Sequence, residues 1–330
     1  EQGGIQAEGA LNGFFPLDCI TQDIRLAVKG AEVILIVVPA FAHRQVAQSI
    51  APYLREGQII ILNPGRTFGA VEVLKTIEET RHIRSLFVGE VQTLPFTARE
   101  LEKHKVQIIK IKDSVNFSVY PIKHLNHVYD MIKGIYPQLN PIYNYLEVTL
   151  NNIGMILHPA LSLFNASAIE FARQFEFYRE GATPQVCKVL ENIQFELNEI
   201  FKTLGIKQFR FNDWVEQVYG VINRSIYSAI HEIKAYRDLY APEKLINRYF
   251  TEDVPTGLVP ISSLATFLNV QTPTIDSIIH LSNILCGCNF SEKGRTIKKL
   301  GLVKFISQHL IHQGQRDPVL AGGNSKVLNE

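Results

Sequence analysis

The run Leu150-Asn151-Asn152-Ile153-Gly154-Met155-Ile156-Leu157-His158-Pro159-Ala160-Leu161-Ser162-Leu163-Phe164-Asn165 sets amides and one imidazole inside an otherwise apolar stretch of helix length. An amide or imidazole buried without a partner costs about 1 to 3 kcal/mol, so these side chains must be satisfied inside the fold or by a ligand. At 100° per residue Asn151 and His158 fall on nearly the same face of one helix, about 10 Å apart along its axis. Pro159 is expected to kink or break that helix, which leaves His158 at a helix end. A histidine held there can give and take a proton near neutrality. The competing reading is a histidine satisfied within the core.

The elements before this run are short apolar strands alternating with amphipathic helices. Ala31 to Val38, Gln58 to Leu62 and Leu86 to Gly89 read as strands buried on both faces, with a helix from Phe41 to Leu54 between the first two. This order predicts a parallel α/β portion. Ligands of such sheets lie beyond the carboxyl ends of the strands, which gathers Pro39-Ala40-Phe41-Ala42-His43, Asn63-Pro64-Gly65-Arg66-Thr67 and Glu90-Val91-Gln92-Thr93-Leu94-Pro95 on one rim. Each loop alone would pass for an ordinary turn; three on one edge mark a binding site. Lys105 to Tyr120 alternates as a strand would and is expected to close the sheet, with Pro121 to Lys133 as a covering helix.

No Gly-x-Gly-x-x-Gly spacing occurs anywhere in the chain, although a dinucleotide-binding sheet normally begins with one. Glu1-Gln2-Gly3-Gly4-Ile5 reads as sequence that follows such a unit. A chain without it is expected to bind NADH or NADPH weakly, to be nearly inactive until an upstream segment is restored, and to associate through an unpaired sheet edge.

Beyond about Tyr145 the pattern is helical. Thr183 and Pro184 open a long helix with Val186, Val189, Leu190, Ile193, Leu197, Ile200, Phe201 and Leu204 on one face, and Gly205 closes it. Thr272-Pro273 repeats the start signal. Between these helices Asn247 to Pro260 reads as a loop of unusual content, and the tail from about Gln313, with Gly314, Gly322, Gly323 and Asn324, as loose chain. The predicted organisation is an α/β domain over 1–144, with its first βα unit not found, and an all-α domain over 145–330, with a cleft between them.

Composition excludes several classes. Lysine and arginine (33) nearly balance aspartate and glutamate (32), and no basic run or basic-aromatic stripe suggests a nucleic-acid partner. The 46% hydrophobic content supports a large core, yet no apolar run approaches the roughly 20 residues of a membrane span. Cys19, Cys187, Cys286 and Cys288 lack zinc spacing and read as reduced thiols of a cytoplasmic protein, so no metal site is expected.

Six marks in order then resemble the opine dehydrogenases of the octopine and nopaline type: Val38 to His43; Asn63 to Thr67; Gln92 to Pro95; Leu150-Asn151-Asn152 with Leu157-His158-Pro159; Thr251 to Pro255 with Gly257 to Pro260; and Gly294-Arg295-Thr296 with Leu300-Gly301-Leu302. The resemblance runs from about Gly3 to Leu302. It implies a Rossmann-like domain and a helical domain that condense an amino acid with an α-keto acid, the reduced form of NAD or NADP supplying hydride to the imine. It matches His158 to the acid/base histidine, Asp253 to the carboxylate that orients it, and Arg248 to a cation for a substrate carboxylate. Pro39, Ala40, Asn63, Pro64, Gly65, Gln92 and Thr93 would hold the cofactor, the Asn63-Pro64-Gly65 backbone being exposed, and Asn151 would stand with Arg248 toward substrate. Arg295 and Thr296 would open a late helix. Gly154 departs from the pattern, which carries an asparagine there, and that bears on substrate choice.

Two other readings compete. A keto acid reductase of the same plan needs only one carboxylate clamp, and a binding or assembly protein with a decayed cofactor half would dimerise through its helices. The resemblance favours an enzyme, with a homodimer through the helical domain.

Overall fold

The structure, a computed structural model, describes residues 3–222 and 224–313. The expected loose tail beyond Gln313 lies outside them. The chain packs as two compact units, Glu1–Asn152 with Asn212–Tyr240, and Ile153–Phe211 with Ala241–Glu330. A single boundary at 144/145 is therefore not what the packing draws: residues 145–152 and a later helical excursion belong with the sheets.

Among the described residues the first unit holds nine strands, β1 (Gly4–Gly9), β2 (Gly13–Pro16), β3 (Val33–Ile36), β4 (Ile59–Leu62), β5 (Phe87–Val91), β6 (Phe96–Glu102), β7 (Lys105–Ile111), β8 (Val115–Tyr120) and β9 (Leu139–Pro141). They form a five-stranded sheet in the order β3-β4-β5-β8-β9 and a four-stranded sheet in the order β2-β1-β7-β6. In the larger sheet β3, β4 and β5 are parallel, as their apolar runs predict, while β8 lies antiparallel to β5. Ile59, Ile60, Ile61 and Leu62 are all buried, because helices cover both faces of a strand joined by crossovers. Phe117 fills the centre of a core with Ile61, Val91, Val119, Val128 and Ile132.

The stretch from Lys105 to Tyr120 does not close one sheet. It breaks after Ile111, and only β8 joins the larger sheet; β7 pairs with β1 and β6 in the smaller one. Burial explains the division. In β8, Val115, Phe117, Ser118 and Val119 are buried, whereas β7 alternates half-buried with exposed residues, as a strand with one solvated face must. Residues 212–240 stay with this unit through Gln217, which donates to Asn116 Oδ1 at 3.0 Å, and Arg99, which donates to the carbonyl of Asp238 at 2.9 Å. Among the described residues β3 pairs on one side only, and Leu35 and Val37 stand exposed at that edge.

In the second unit the helix Pro184–Leu204 starts and stops where its sequence signals place it: Thr183 Oγ1 accepts from Val186 N at 3.4 Å, and Gly205 adopts φ +65°. Glu196 interrupts the apolar stripe yet is buried. Its carboxylate accepts from the backbone N–H groups of Thr274 and Ile275 at 2.7 and 3.0 Å, tying the start of the helix Pro273–Cys286 to its neighbour.

Two expectations about helices are corrected. The helix Ile153–Phe164 continues through Pro159, so His158 sits in its interior rather than at an end. Proline removes one backbone bond, but the segment is held by burial of Met155, Ile156, Leu157, Ala160 and Leu161, each at 1% exposure or less. The interruption comes earlier, between the helix Tyr145–Thr149 and Ile153. Nor is Asn247 to Pro260 a loop: Arg248–Thr251 is helical, Val254–Leu258 makes a π-helical turn, and Val259–Leu268 continues as α-helix. Pro255, which lacks an N–H, falls at the start of that wider turn, where the loss costs least.

The end of β5 is fixed by Glu90, whose carboxylate accepts from Ala70 N at 2.7 Å and from the Tyr145 hydroxyl at 3.2 Å. Gly65 lies against it so closely that a Cβ would stand 2.4 Å from Glu90 Cβ. Gly65→Ala is accordingly expected to destabilise the fold by about 1 to 3 kcal/mol, read as a lowered urea midpoint; an unchanged midpoint would show that Glu90 does not fix this strand end.

Candidate active site

The second unit brings His158, Arg248 and Asp253 together. Asp253 follows the Arg248–Thr251 helix, at the threshold of the π-helical turn, and is fully buried. Its Oδ2 lies 2.7 Å from His158 Nδ1. A buried carboxylate accepts, so Nδ1 carries the proton and Nε2 is left as the acceptor. The Tyr178 hydroxyl, 2.9 Å from Nε2, donates to it. The Tyr249 ring stacks on the imidazole with centroids 4.3 Å apart and on Phe177 at 4.9 Å. Burial pushes the Tyr249 phenol above its ordinary pKa, so it stays a neutral hydroxyl.

These groups face a cavity of about 340 Å³ lined by His158, Tyr178, Pro242, Asn247, Arg248 and Tyr249. Asn247 caps the Arg248–Thr251 helix by accepting from Tyr249 N at 2.7 Å, which sets the direction of the two side chains that follow. Arg248 Nε lies 3.4 Å from Glu252 Oε2, and its guanidinium remains more than half exposed with no other ionic partner among the described residues. The Arg248 and Asp253 side chains are thus not a surface ion pair: one is buried on the histidine, the other open to the cavity. Arrangements of this kind hold an acid/base imidazole in one tautomer beside a fork that can grip a carboxylate.

The rim residues of the first unit are largely occupied in shaping the rim. Asn63 and Gly65 are buried, and the Gly65 N–H donates to Val91 O at 3.2 Å, so the expected exposed backbone at Asn63-Pro64-Gly65 is not found. Pro39 precedes a tight turn over Ala40–Ala42, with Ala40 buried. Gln92 Nε2 donates to the carbonyl of Asn151 at 3.0 Å, and Thr93 Oγ1 accepts from Lys112 Nζ at 2.7 Å. Asn151 does not share a helix with His158, because the chain is non-helical from Leu150 to Asn152; its Nδ2 donates back to Glu147 O at 2.6 Å. Arg295 and Thr296 do not open a helix either. Thr296 Oγ1 caps a turn through Lys299 N, and the next helix begins at Val303.

The rim offers one fitting feature for a nicotinamide dinucleotide: the amide oxygens of Asn63 and Asn151 are buried with no hydrogen-bond partner among the described residues. A glycine loop for the pyrophosphate is absent from the sequence. No group of three metal-ligating side chains occurs among the described residues, and no described helix is long and apolar enough to cross a membrane.

Sequence reasoning missed Tyr178, which lies 20 positions after His158 with no spacing that links them, and Lys112, hidden in a run read as strand. Lys112 is 6% exposed, and burial, helped by the nearby Arg66 guanidinium, pushes its pKa down from 10.5 to about 7. Its charged form is therefore penalised in the fold. Below pH 7 the penalty is full; between about pH 7 and 10.5 the folded state has lost a proton that the unfolded state keeps, so stability rises with pH. Lys112→Met is expected to be more stable than the wild type by roughly a few kcal/mol near pH 6, with the difference shrinking toward pH 10. Calorimetry across that range checks it, and a difference independent of pH would contradict it.

Residues 141–286 match the family model for the α-helical domain of NAD/NADP octopine/nopaline dehydrogenases. An opine dehydrogenase of Arthrobacter sp. (strain 1C) is 39% identical over 303 residues, covering 92% of this chain and 84% of the relative. The octopine dehydrogenase of Pecten maximus is 25% identical, covering 79% and 71% respectively. Among solved structures, an octopine dehydrogenase with NADH and L-arginine superposes with a TM-score of 0.74 at 20% identity, over 95% of this chain and 86% of that one, which supports the fold. On the strength of the Arthrobacter match and the helical-domain match, the chain belongs to the opine dehydrogenase family, oxidoreductases that act on a CH–NH group with NAD or NADP.

Proposed function

We propose that His158 is the acid/base of a reductive condensation between an amino acid and an α-keto acid, with Asp253 as its positioning residue and Arg248 as a carboxylate clamp. The observation that carries this reading is the 2.7 Å contact between His158 Nδ1 and the fully buried Asp253 carboxylate, beside a cavity that Arg248 also lines. A proton fixed on Nδ1 leaves Nε2 as the working atom. There it accepts a proton from the attacking ammonium group and returns it to the carbinolamine oxygen as water leaves. The buried carboxylate stabilises the imidazolium formed between these steps. Tyr178 holds Nε2 until substrate takes its place, and the stacked Tyr249 and Phe177 rings restrain the imidazole plane. Arg248 keeps donors for an α-carboxylate because Glu252 engages only Nε.

When bound, NADH or NADPH would supply the hydride that reduces the imine. Pro39, Ala40, Gln92 and Thr93 are proposed to meet its nicotinamide end and Asn63, Pro64 and Gly65 to shape that rim; the support is the two buried amide oxygens there. Named relatives bind NADH with arginine, with agmatine or with pyruvate, and NADP+ in yersinopine dehydrogenase, so small substrates of these classes are proposed here. A cytoplasmic homodimer completes the reading. It is supported by free cysteines and by Leu281, Ile284 and Leu285 exposed on one helix of the second unit, and a single monomeric species in sedimentation velocity would refute the dimer.

The test is NAD(P)H oxidation with an α-keto acid, alone and with an amino acid. Oxidation is expected to depend on the amino acid; equal rates without it favour a keto acid reductase. His158→Ala is expected to lower kcat by roughly 10²- to 10⁴-fold with cofactor affinity unchanged, and Arg248→Ala to act mainly by raising KM for the keto acid. Wild-type kinetics in both variants would overturn the assignment.

A further inference from the structure

Tyr178 is 9% exposed, and its hydroxyl stands 2.9 Å from His158 Nε2, on the wall of the cavity that Arg248 and Tyr249 also line. The Tyr249 hydroxyl is hydrogen-bonded to that of Tyr178. A phenol has one hydrogen to give and lone pairs with which to accept. Because Asp253 keeps the proton of the neutral imidazole on Nδ1, the Tyr178 hydrogen lies on Nε2, and Tyr249 is left as the donor in the bond between the two phenols. The chain of donors therefore runs from Tyr249 through Tyr178 to His158. The rings are held as well as the hydroxyls: Phe177 meets Tyr178 edge-on with centroids 5.2 Å apart and stacks on Tyr249 at 4.9 Å. All of these residues belong to the second unit.

Substrate changes this bonding at one point. When an N–H of the attacking ammonium group takes Nε2, the Tyr178 hydrogen turns to an acceptor on the cavity side, while its oxygen keeps the bond from Tyr249. The attacking nitrogen and the keto oxygen end on one carbon, so the keto oxygen comes within reach of a hydroxyl that lay one hydrogen bond from Nε2. We propose that Tyr178 donates to the keto oxygen of the α-keto acid and stabilises the negative charge that attack places there, which makes it a further catalytic residue of the condensation. The proposal rests on the role given to His158 above. Attack forms the N–C bond from the amine lone pair and moves the carbonyl π pair onto oxygen. The proton held on Nε2 then passes to that oxygen, and Tyr178 keeps its own hydrogen throughout. The division of labour is physical: an Nε2 that is taking the ammonium proton cannot polarise the ketone at the same moment, and a neutral phenol beside it can.

The test compares kcat/KM of the full chain for pyruvate and for fluoropyruvate, each counted as the unhydrated keto acid, with the amino acid that supports turnover in the assay above. Tyr178→Phe keeps the ring and loses the hydroxyl. It is expected to lower the value for pyruvate by roughly 10²-fold, the scale of one oxyanion donor. The loss on fluoropyruvate should be much smaller, because fluorine already draws charge from that carbonyl. Tyr249→Phe, which removes only the supporting bond, should cost about tenfold or less. Wild-type values in Tyr178→Phe overturn the proposal; so does an equal loss on both keto acids, which would place the effect of the hydroxyl on the imidazole instead. In either case the loss in His158→Ala persists and the proposed function stands. If no amino acid supports turnover, or His158→Ala is also unimpaired, that function falls and the proposal with it. Should Tyr178→Phe fail to fold, a ring-fluorinated tyrosine in place of Tyr178, a stronger donor, should raise the pyruvate value relative to fluoropyruvate; an unchanged ratio overturns the proposal.

Discussion

The helical unit is arranged around a carboxylate that water does not reach. Asp253 has no exposed surface, and an ionised carboxylate in such a place must be bonded to a positive or strongly donating group. His158 is that group. The pairing dictates the rest of the site: Nδ1 is committed, Nε2 points at Tyr178 and the cavity, and the stacked rings of Tyr249 and Phe177 leave the imidazole little freedom. Removing the aspartate would therefore release the constraint on which imidazole nitrogen carries the proton.

Placing that carboxylate requires an irregular helix. The chain from Arg248 to Leu268 is helical almost throughout, but its π-helical turn over Val254–Leu258 adds a residue to the winding directly after Asp253. Such turns re-aim side chains without exposing backbone groups. The opposing helix contributes regularity instead. Ile153–Phe164 continues past Pro159 because its neighbours bury it, so His158 is presented from a packed interior turn. Rigid support on both sides holds a hydrogen-bonded pair at constant distance, as acid/base work needs.

Much of this was legible in the sequence where local chemistry decides the outcome. Thr183-Pro184 and Gly205 mark their helix because capping and left-handed backbone are short-range effects, and the apolar runs of β3, β4 and β5 read correctly as parallel strands, although β3, at the sheet edge, is only partly buried. That His158 and Asp253 lie together was legible through the resemblance, not through spacing, since 95 residues separate them. Errors arose where packing overrides local preference. Pro159 suggested a break that burial prevents, Lys105 to Tyr120 looked like one strand because alternation does not say which sheet it serves, and Asn151 was set on a helix that begins two residues later. Tyr178 and Lys112 left no sequence signal, because their roles come only from what the fold brings beside them.

The claim on which the mechanism rests is that Asp253 fixes the tautomer of His158, and long-range ¹H–¹⁵N correlation spectra of the imidazole read this directly. At a pH where the ring is neutral, the account predicts that His158 carries its proton on Nδ1 in the wild type, and that Asp253→Ala releases the preference. A wild-type His158 protonated on Nε2, or one whose tautomer is indifferent to loss of Asp253, would contradict it.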